Sequence, residues 1–394
     1  LKPEDHGWER FGEYNDNVFL QPFVEGAWVT KYKDKYYMQY GAPATEFSGY
    51  ADGVYVSKNP LEGYEYQQHN PFSHKPGGFA RGAGHGATFQ DNYGNYWHVS
   101  TIFISTKNNF ERRLGIWPAG FDKDDVMYSN TAYGDYPTYI PEFAQGKDFT
   151  KGLFTGWMLL NYQKPVAASS TLGGYQANFA VDEDIKTYWS AKSGNSGEWF
   201  QTDLGEISTI NAIQINYADQ DVEFMGKTLG KMHQYKIYSS NDGKNWKVLI
   251  DKSKNTTDVP HDYIELEKPA KARFLKMENL KMPTGKFALS GFRVFGKGGG
   301  DKPDKIENFV PLRADPKKFG ERRSIWMKWK QNEKADGYMI YFGKTPDKLY
   351  GSIMVYGKNE YFFTGADRTD AYYFQIEAFN NNGISERSEV FKSE

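Results

Sequence analysis

The chain has 394 residues, which is too long for one ordinary domain and predicts two to four domains, each able to bury its own core. Its 48 Lys and Arg nearly balance its 50 Asp and Glu, which excludes the basic field typical of proteins that bind nucleic acid or anionic membranes. The absence of cysteine excludes a disulfide scaffold, a thiol nucleophile and a thiolate metal site. No stretch approaches 18 apolar residues, so we expect no membrane span.

The sequence predicts an all-β fold in three modules. Its 40 Gly and 17 Pro separate short aromatic or alternating runs, and long helical periodicity is almost absent. An aromatic stretch gives way to small residues near Pro165, and a glycine-rich stretch follows Phe295. The predicted division is a first module at residues 1–162, a second at 163–297, a linker at 298–303 and a third at 304–394.

The first module contains an internal repeat. Residues 25–37 and 85–97 each predict a strand, a polar turn and a second strand, and a period near 60 suits a four-stranded propeller blade. The first strand of every blade lines the central channel of a propeller. The matched residues Glu25 and His85 are therefore expected near the same axis.

Glu25 is the candidate general acid. It lies among apolar and aromatic residues at the start of a predicted strand, and burial there would raise its pKa toward the range that a general acid needs. The alternative is an ordinary glutamate at a strand end, paired with Lys or Arg.

The motifs of this module resemble those of glycoside hydrolase family 43. Residues 25–31 followed by 36–40 resemble its general-acid strand, and residues 49–61 are similar to the next strand of the same blade. The resemblance implies a five-bladed propeller with three acidic residues in a central pocket, Glu25 being the general acid of an inverting reaction.

Two further residues of the first module match that family. Residues 84–86 resemble its axial histidine, so His85 would hold a metal ion, commonly calcium, directly or through water. Arg112 resembles a pocket arginine that binds substrate, with Arg113 an equally near choice. The alternatives are a hydrogen-bonded core histidine and a surface-paired arginine.

Four aromatic residues are candidates for contact with a sugar ring, although strand packing explains them equally well. They are Trp28, Tyr40, Phe47 and Tyr50.

The resemblance also shows what the first module lacks. Inverting hydrolysis needs a second carboxylate to activate water, and in this family the base and the modulating acid lie upstream of the general-acid strand. The acids before Glu25 do not stand in the family's motifs; they are Asp5, Glu9, Glu13 and Asp16. We therefore expect a fragment, beginning at Leu1 without Met, that carries the C-terminal blades and has the missing N-terminal part of the propeller as its partner.

The second module resembles the discoidin family, also called factor 5/8 type C, which includes carbohydrate-binding modules of family 32. The matching segments are residues 180–190, 198–205, 235–246 and 289–296. This resemblance implies a jelly-roll β-sandwich whose sugar contacts come from loops at one end. The candidate loops are residues 192–198, 219–233 and 282–287, and the alternative is a module that only supports its neighbour.

In that family an acidic loop often holds a structural calcium ion, and here it corresponds to Asp182, Asp184 and Thr187. A further glutamate ligand of the family is replaced by Gly291. The alternative is a polar turn held by side-chain to backbone hydrogen bonds. Calcium is the expected cofactor, and no organic cofactor is expected.

The third module resembles a fibronectin type III domain. Residues 324–330, 337–341 and 372–380 alternate as half-buried strands do, with Trp329 as the expected core tryptophan. We expect a spacer or packing partner without chemistry of its own.

Together these features predict an exported, periplasmic or cell-surface glycosidase of bacterial type. Its expected partner is an oligo- or polysaccharide with arabinosyl, xylosyl or galactosyl linkages. The alternative is a non-catalytic carbohydrate-binding or scaffold protein that retains part of a propeller.

Overall fold

The structure is a computed structural model that describes residues 1–17, 19–103, 112–144, 153–223, 230–313 and 322–393. Within these ranges the regular secondary structure is almost entirely β. The helical elements there are two short 3₁₀ turns at Gly7–Glu9 and Ala177–Val181. The predicted all-β fold class is confirmed, and no described helix has the length and apolar character needed to cross a bilayer.

The first part of the chain forms two antiparallel sheets arranged like blades of a propeller. The first sheet has the order β1-β2-β3-β4, with β5 also paired to β3, and the second has the order β6-β7-β8-β9. The strands are β1 Glu25–Tyr32, β2 Lys35–Ala42, β3 Ala51–Ser57, β4 Glu65–Tyr66, β5 Ser73–His74, β6 Arg81–Gln90, β7 Tyr96–Phe103, β8 Arg112–Phe121 and β9 Met127–Ser129.

Both copies of the 60-residue repeat have the same strand arrangement. β1 pairs with β2 and β6 with β7, and both leading strands contain a bulge at the matched place, after Glu25 and after Gly84. The two leading strands also touch, because the Trp28 indole N–H donates to the backbone oxygen of Thr88 at 3.0 Å. The repeat therefore places the bulged parts of β1 and β6 side by side.

An eight-stranded antiparallel assembly follows, with the order β10-β17-β13-β16-β14-β15; β11 pairs with β13 and β12 with β17. Its strands are β10 Met158–Leu159, β11 Val166–Ala168, β12 Trp189–Ser190, β13 Trp199–Tyr217, β14 Gln234–Ser240, β15 Lys247–Asp251, β16 His261–Lys281 and β17 Ala288–Lys297. A core rich in aromatic and branched side chains fills its interior. β10 lies before the predicted boundary at residue 163 yet pairs with β17, so this sheet begins earlier than the composition change indicated.

The last part of the chain consists of two facing sheets. One has the order β18-β19-β22, and the other has the order β21-β20-β23-β24 with β25 paired to β23. The strands are β18 Val310–Arg313, β19 Ile325–Lys328, β20 Gly337–Gly343, β21 Gly351–Tyr356, β22 Glu360–Phe363, β23 Tyr373–Asn380, β24 Gly383–Ile384 and β25 Phe391–Lys392. Trp329 is buried between them, as expected of a core tryptophan, and fibronectin type III membership stays a prediction.

The three parts share buried interfaces. A mixed cluster packs Tyr133 and Tyr136 from the segment after β9 against Phe295 of β17 and Phe379 of β23. The predicted linker at 298–303 is also held in place, because the Gly298 N–H donates to the backbone oxygen of Asn381 at 2.9 Å. The described parts are therefore packed together rather than joined by a free tether.

Candidate functional site

Glu25 opens β1 at its bulge, which sets the direction of its side chain. The next residue, Gly26, has a φ of +66°, a left-handed conformation that glycine adopts without strain and that is typical of such bulges. A β-carbon at Gly26 would lie 2.5 Å from the imidazole ring of His85. The absence of a side chain at this position therefore lets His85 approach Glu25.

Three side chains meet at this point. The Tyr50 hydroxyl donates to Glu25 Oε1 at 2.6 Å, and His85 Nδ1 lies 3.5 Å from the same oxygen. Burial, followed by the bond to Glu25, raises the pKa of Tyr50 far above its ordinary value, so its hydroxyl stays protonated and acts as the donor. The structure thus brings together Glu25, His85 and Tyr50, all three predicted from the sequence.

The Glu25 carboxylate is nevertheless open to solvent. Its side chain is 40% exposed. The preceding Phe23 and Val24 are also exposed, so the apolar neighbours do not enclose it. The enclosing apolar surroundings that we expected around Glu25 are not present in this arrangement. A general acid here would need additional protein or substrate to exclude water.

Arg112 and Arg113 lie on different sides of β8. Arg112 Nη1 donates to the Thr45 hydroxyl at 2.7 Å. The positive charge of Arg112 also lowers the pKa of Tyr50, against the larger raising effects of burial and Glu25. The charge of Arg113 instead lowers the pKa of His261 in β16. Of the two, Arg112 is therefore the arginine that lies near Tyr50, and its role as the substrate-binding arginine stays a prediction.

The candidate aromatic residues have different environments. Trp28 is 45% exposed, and Phe47 is partly exposed and packs edge-on against Phe11 with ring centroids 4.7 Å apart. Tyr40 is only 5% exposed, and its hydroxyl donates to Glu9 Oε1 at 2.5 Å. The sugar-facing role suggested for Tyr40 is not supported, because its ring belongs to the core.

The contacts that the structure shows for the upstream acids are structural ones. Glu9 is fully buried and accepts hydrogen bonds from Tyr40 and from the Lys2 backbone. Glu13 accepts bonds from Ser48 and pairs with Lys186. Asp5 and Asp16 lie on the exposed surface. None of these described contacts involves Glu25, in agreement with leaving these acids out of the catalytic set.

Sequence reasoning missed a buried carboxylate behind the site. Asp52 of β3 lies in the same register row as Glu25 and Gly41, and its Oδ2 lies 2.8 Å from Nε2 of the fully buried His98. His98 Nδ1 bonds the Thr88 hydroxyl at 2.9 Å, and Thr88 donates to Gln39. This chain of polar groups connects the two blades directly under the site.

The acidic loop of the second module is a closed set of hydrogen bonds. Asp182 Oδ1 accepts the Asp184 N–H at 3.0 Å, and Asp182 Oδ2 accepts the Thr187 hydroxyl at 2.7 Å. Asp184 Oδ1 faces the Arg81 guanidinium at 3.4 Å. Burial raises the pKa of Asp182 to about 6.

These donors do not fit a calcium ion well, because a cation already faces one carboxylate and the hydroxyl donates to the other. Among the described residues no three acidic or histidine side chains gather as metal ligands, and His85 would have to share a metal largely with water. Both metal sites therefore stay predictions, and no step below depends on them.

The candidate sugar loops of the second module meet at one end of the sheet. The Lys286 N–H donates to Gln220 O at 2.9 Å, and the Phe287 N–H donates to Ser193 O at 3.1 Å. Residues 224–229 of the middle loop lie outside the described residues.

A family model for the F5/8 type C domain matches residues 165–291. This part of the chain is an F5/8 type C domain. The predicted discoidin module is confirmed, while membership of glycoside hydrolase family 43 stays a prediction.

Solved structures give weaker likenesses. A protein described as a glycoside hydrolase is 19% identical with a TM-score of 0.38, and the match covers 71% of this chain and 61% of that one. This chain therefore spans less than two thirds of that hydrolase.

Two binding modules match about a third of the chain. Chitosan-binding module 2 of a Paenibacillus sp. IK-5 chitosanase/glucanase, solved with chitotriose, is 26% identical with a TM-score of 0.30, covering 35% of this chain and 99% of the module. The family 32 module of Clostridium perfringens NanJ, solved with galactose, is 17% identical with a TM-score of 0.29, covering 35% and 98%. A search of curated proteins found no match.

Proposed function

We propose that this chain belongs to an exported inverting glycoside hydrolase resembling family 43, which acts on arabinosyl, xylosyl or galactosyl linkages of plant-type polysaccharides. The observation that carries the proposal is the meeting of Glu25, Tyr50 and His85 at the matched bulges of two blade-like sheets. The family motifs that surround these residues add to it.

The geometry suggests how Glu25 would act. The Tyr50 hydroxyl occupies Oε1, which leaves Oε2 to carry the proton to the leaving oxygen of the glycosidic bond. The Arg112 guanidinium, near Tyr50, would orient a substrate hydroxyl. His85 limits the rotation of the Glu25 side chain from the other side.

The water-activating base is a separate question. Asp52 is fully buried, with Oδ2 bonded to His98 and Oδ1 enclosed without a partner among the described residues, so it presents no exposed oxygen to a water beside a sugar ring. We propose that the base is supplied by residues outside this chain, in further blades that would also cover Phe23, Val24 and Trp28.

The test uses the natural full-length protein and 4-nitrophenyl arabinosides, xylosides and galactosides. We expect Glu25→Gln to lower kcat by about 10²- to 10⁴-fold on unactivated oligosaccharides, and by much less on aryl glycosides whose leaving group needs no proton. Glu65→Gln, an exposed glutamate in the same sheet, is the matched control.

Equal losses on both substrate classes would contradict the general-acid role. A wild-type protein that binds these sugars without hydrolysing them would instead favour the carbohydrate-binding or scaffold alternative. The F5/8 type C domain supports that alternative, because such domains include carbohydrate-binding modules.

A further inference from the structure

The outward face of the F5/8 type C sheet is turned toward the second blade. Along β13 the side chains alternate, so that Ile213 and Ile215 fill the core while Gln214 and Asn216 point the other way. In the adjacent strand, Tyr263 pairs with Gln214 and His261 pairs with Asn216. This face therefore presents polar and aromatic groups in regular rows.

The opposite wall comes from the first part of the chain. β8 and the segments around Tyr139 and Trp157 stand across from the sheet and leave a cleft of about 590 Å³. The Tyr139 and Trp157 rings lie 6.4 Å apart between centroids, nearly edge to face. A cleft of this size between two packed parts of a chain lies within the range of small-molecule sites.

The aromatic rings of the cleft are available to a ligand. Tyr139 is 54% exposed and Tyr263 is 46% exposed, although they lie on opposite walls. Burying such rings against a ligand would be favourable, because each has an apolar face and a polar edge. Exposed ring surface is thus available to a ligand from both walls of the cleft.

The polar groups of the cleft are mostly neutral. His261 Nδ1 lies 3.0 Å from Asn216 Oδ1. Burial, with a smaller effect from Arg113, lowers the pKa of His261 to about 4, so the imidazole is neutral at ordinary pH. The buried Asn216 Nδ2 has no hydrogen-bond partner among the described residues. An unused donor of this kind is costly unless a ligand or water meets it.

The charges of the lining residues indicate an uncharged ligand. The lining holds two cationic and two anionic side chains, so their charges do not select an anion or a cation; they are Arg113, Arg293, Asp135 and Glu265. Apolar ring faces combined with neutral donors and acceptors match the surface of an uncharged sugar, whose C–H faces stack on aromatic rings while its hydroxyls accept and donate hydrogen bonds.

We propose that this cleft is a second saccharide-binding site that takes an uncharged oligosaccharide between Tyr263 and Tyr139, with His261 and Asn216 bonding its hydroxyls. It is separate from Glu25, which is not among its lining residues, and from the loop end of the F5/8 type C domain. The proposal does not require the chain to hydrolyse glycosides.

The test is isothermal titration of the full chain with linear hexasaccharides of xylose, arabinose and galactose. We expect one of these probes to bind, and Tyr263→Ala and Tyr139→Ala each to weaken that binding about tenfold or more. Tyr93→Ala is the matched control, because Tyr93 is similarly exposed on the β6–β7 turn and should leave the affinity unchanged.

Further variants separate this site from the other two. Binding should persist in Glu25→Gln, which keeps the cleft intact whether or not Glu25 is catalytic. Asn216→Leu, which removes the unused donor at similar volume, should also weaken the probe, and near-ultraviolet circular dichroism checks that the fold is kept.

Two results would overturn the proposal. One is the absence of binding by all three hexasaccharides. The other is binding that Tyr263→Ala and Tyr139→Ala leave intact, because the probe would then sit at the loop end or beside Glu25.

Discussion

The buried guanidinium of Arg293 offers the sharpest test of how the three parts are held together. Its Nε and Nη2 donate to the two carboxylate oxygens of Glu183, each at 2.8 Å, and its Nη1 donates to Asp135 O at 2.7 Å. The Arg293 and Glu183 side chains are each only 2% exposed. Burial raises the pKa of Glu183 even with Arg293 beside it, so the carboxylate depends on this cation.

Arg293→Met keeps the length and apolar packing of the side chain but leaves Glu183 without its cation. Removing one partner of a buried ion pair costs about 3–5 kcal/mol of the free energy of unfolding. At about 2.1 cal/mol/K of unfolding entropy per residue, the loss lowers Tm by about 10–18 °C if the F5/8 type C domain unfolds alone. If the whole chain unfolds as one unit, the same loss lowers Tm by only about 4–6 °C.

Thermal unfolding followed by far- and near-ultraviolet circular dichroism measures this shift and shows whether one or several transitions occur. The gap between variant and wild type should narrow as pH falls. Arg293 lowers the pKa of Glu183, so without it the folded variant takes up a proton on Glu183 at higher pH than the folded wild type does. Arg273→Met is the control. Arg273 makes the same two-bond contact with Asp203, but its side chain is 41% exposed, and we expect Tm to stay near that of the wild type. A shift below about 4 °C, or equal shifts in the two variants, would refute the reasoning.

Three further predictions concern the blades and the acidic loop. Tyr40→Phe removes a buried bond to Glu9 and should cost about 1.5–3 kcal/mol in denaturant unfolding while leaving kcat unchanged; a large loss of kcat would restore the sugar-facing role. His98→Leu leaves Asp52 buried without its partner and should cost about 3–5 kcal/mol by the same measurement, and a neutral effect would contradict the pairing. The pKa of Asp182 is about 6 in the folded chain against 3.8 ordinarily, so folded Asp182 holds its proton longer and stability falls as pH rises between these values. Asp182→Asn should accordingly raise Tm at about pH 7.5 but not at about pH 4. A higher wild-type Tm in millimolar calcium chloride would instead favour the calcium site.

The sequence was sufficient to place Glu25 beside His85, and the reason is geometric. Equivalent positions of a repeated blade face the same axis, so an offset of 60 residues carries three-dimensional information that neither residue carries alone. The structure shows how Glu25 and His85 approach each other: each leading strand contains a bulge, and position 26 is a glycine.

The local sequence does not indicate several other contacts. The strand pattern does not show which face of β2 is covered, so it leaves Tyr40 a candidate for sugar contact with strand packing as the alternative. In the structure the N-terminal Glu9 bonds the buried Tyr40. Asp52 and His98 are 46 residues apart and meet across two sheets. The sequence identifies Arg293 only as part of the closing strand, because its partner Glu183 lies 110 residues away.

The Arg293 cluster also bears on the role of the F5/8 type C domain. Asp135 Oδ2 accepts the Phe79 N–H at 2.7 Å, just before β6 begins, and Lys75 pairs with the same oxygen at 3.3 Å. Burial alone would raise the pKa of Asp135, but Lys75 and Arg293 together hold it below its ordinary value, so the carboxylate stays charged and fixed. β6 then runs on to His85. The domain that contributes Arg293 therefore braces the strand that carries His85 toward Glu25, and it has this structural role whether or not its loops bind sugar.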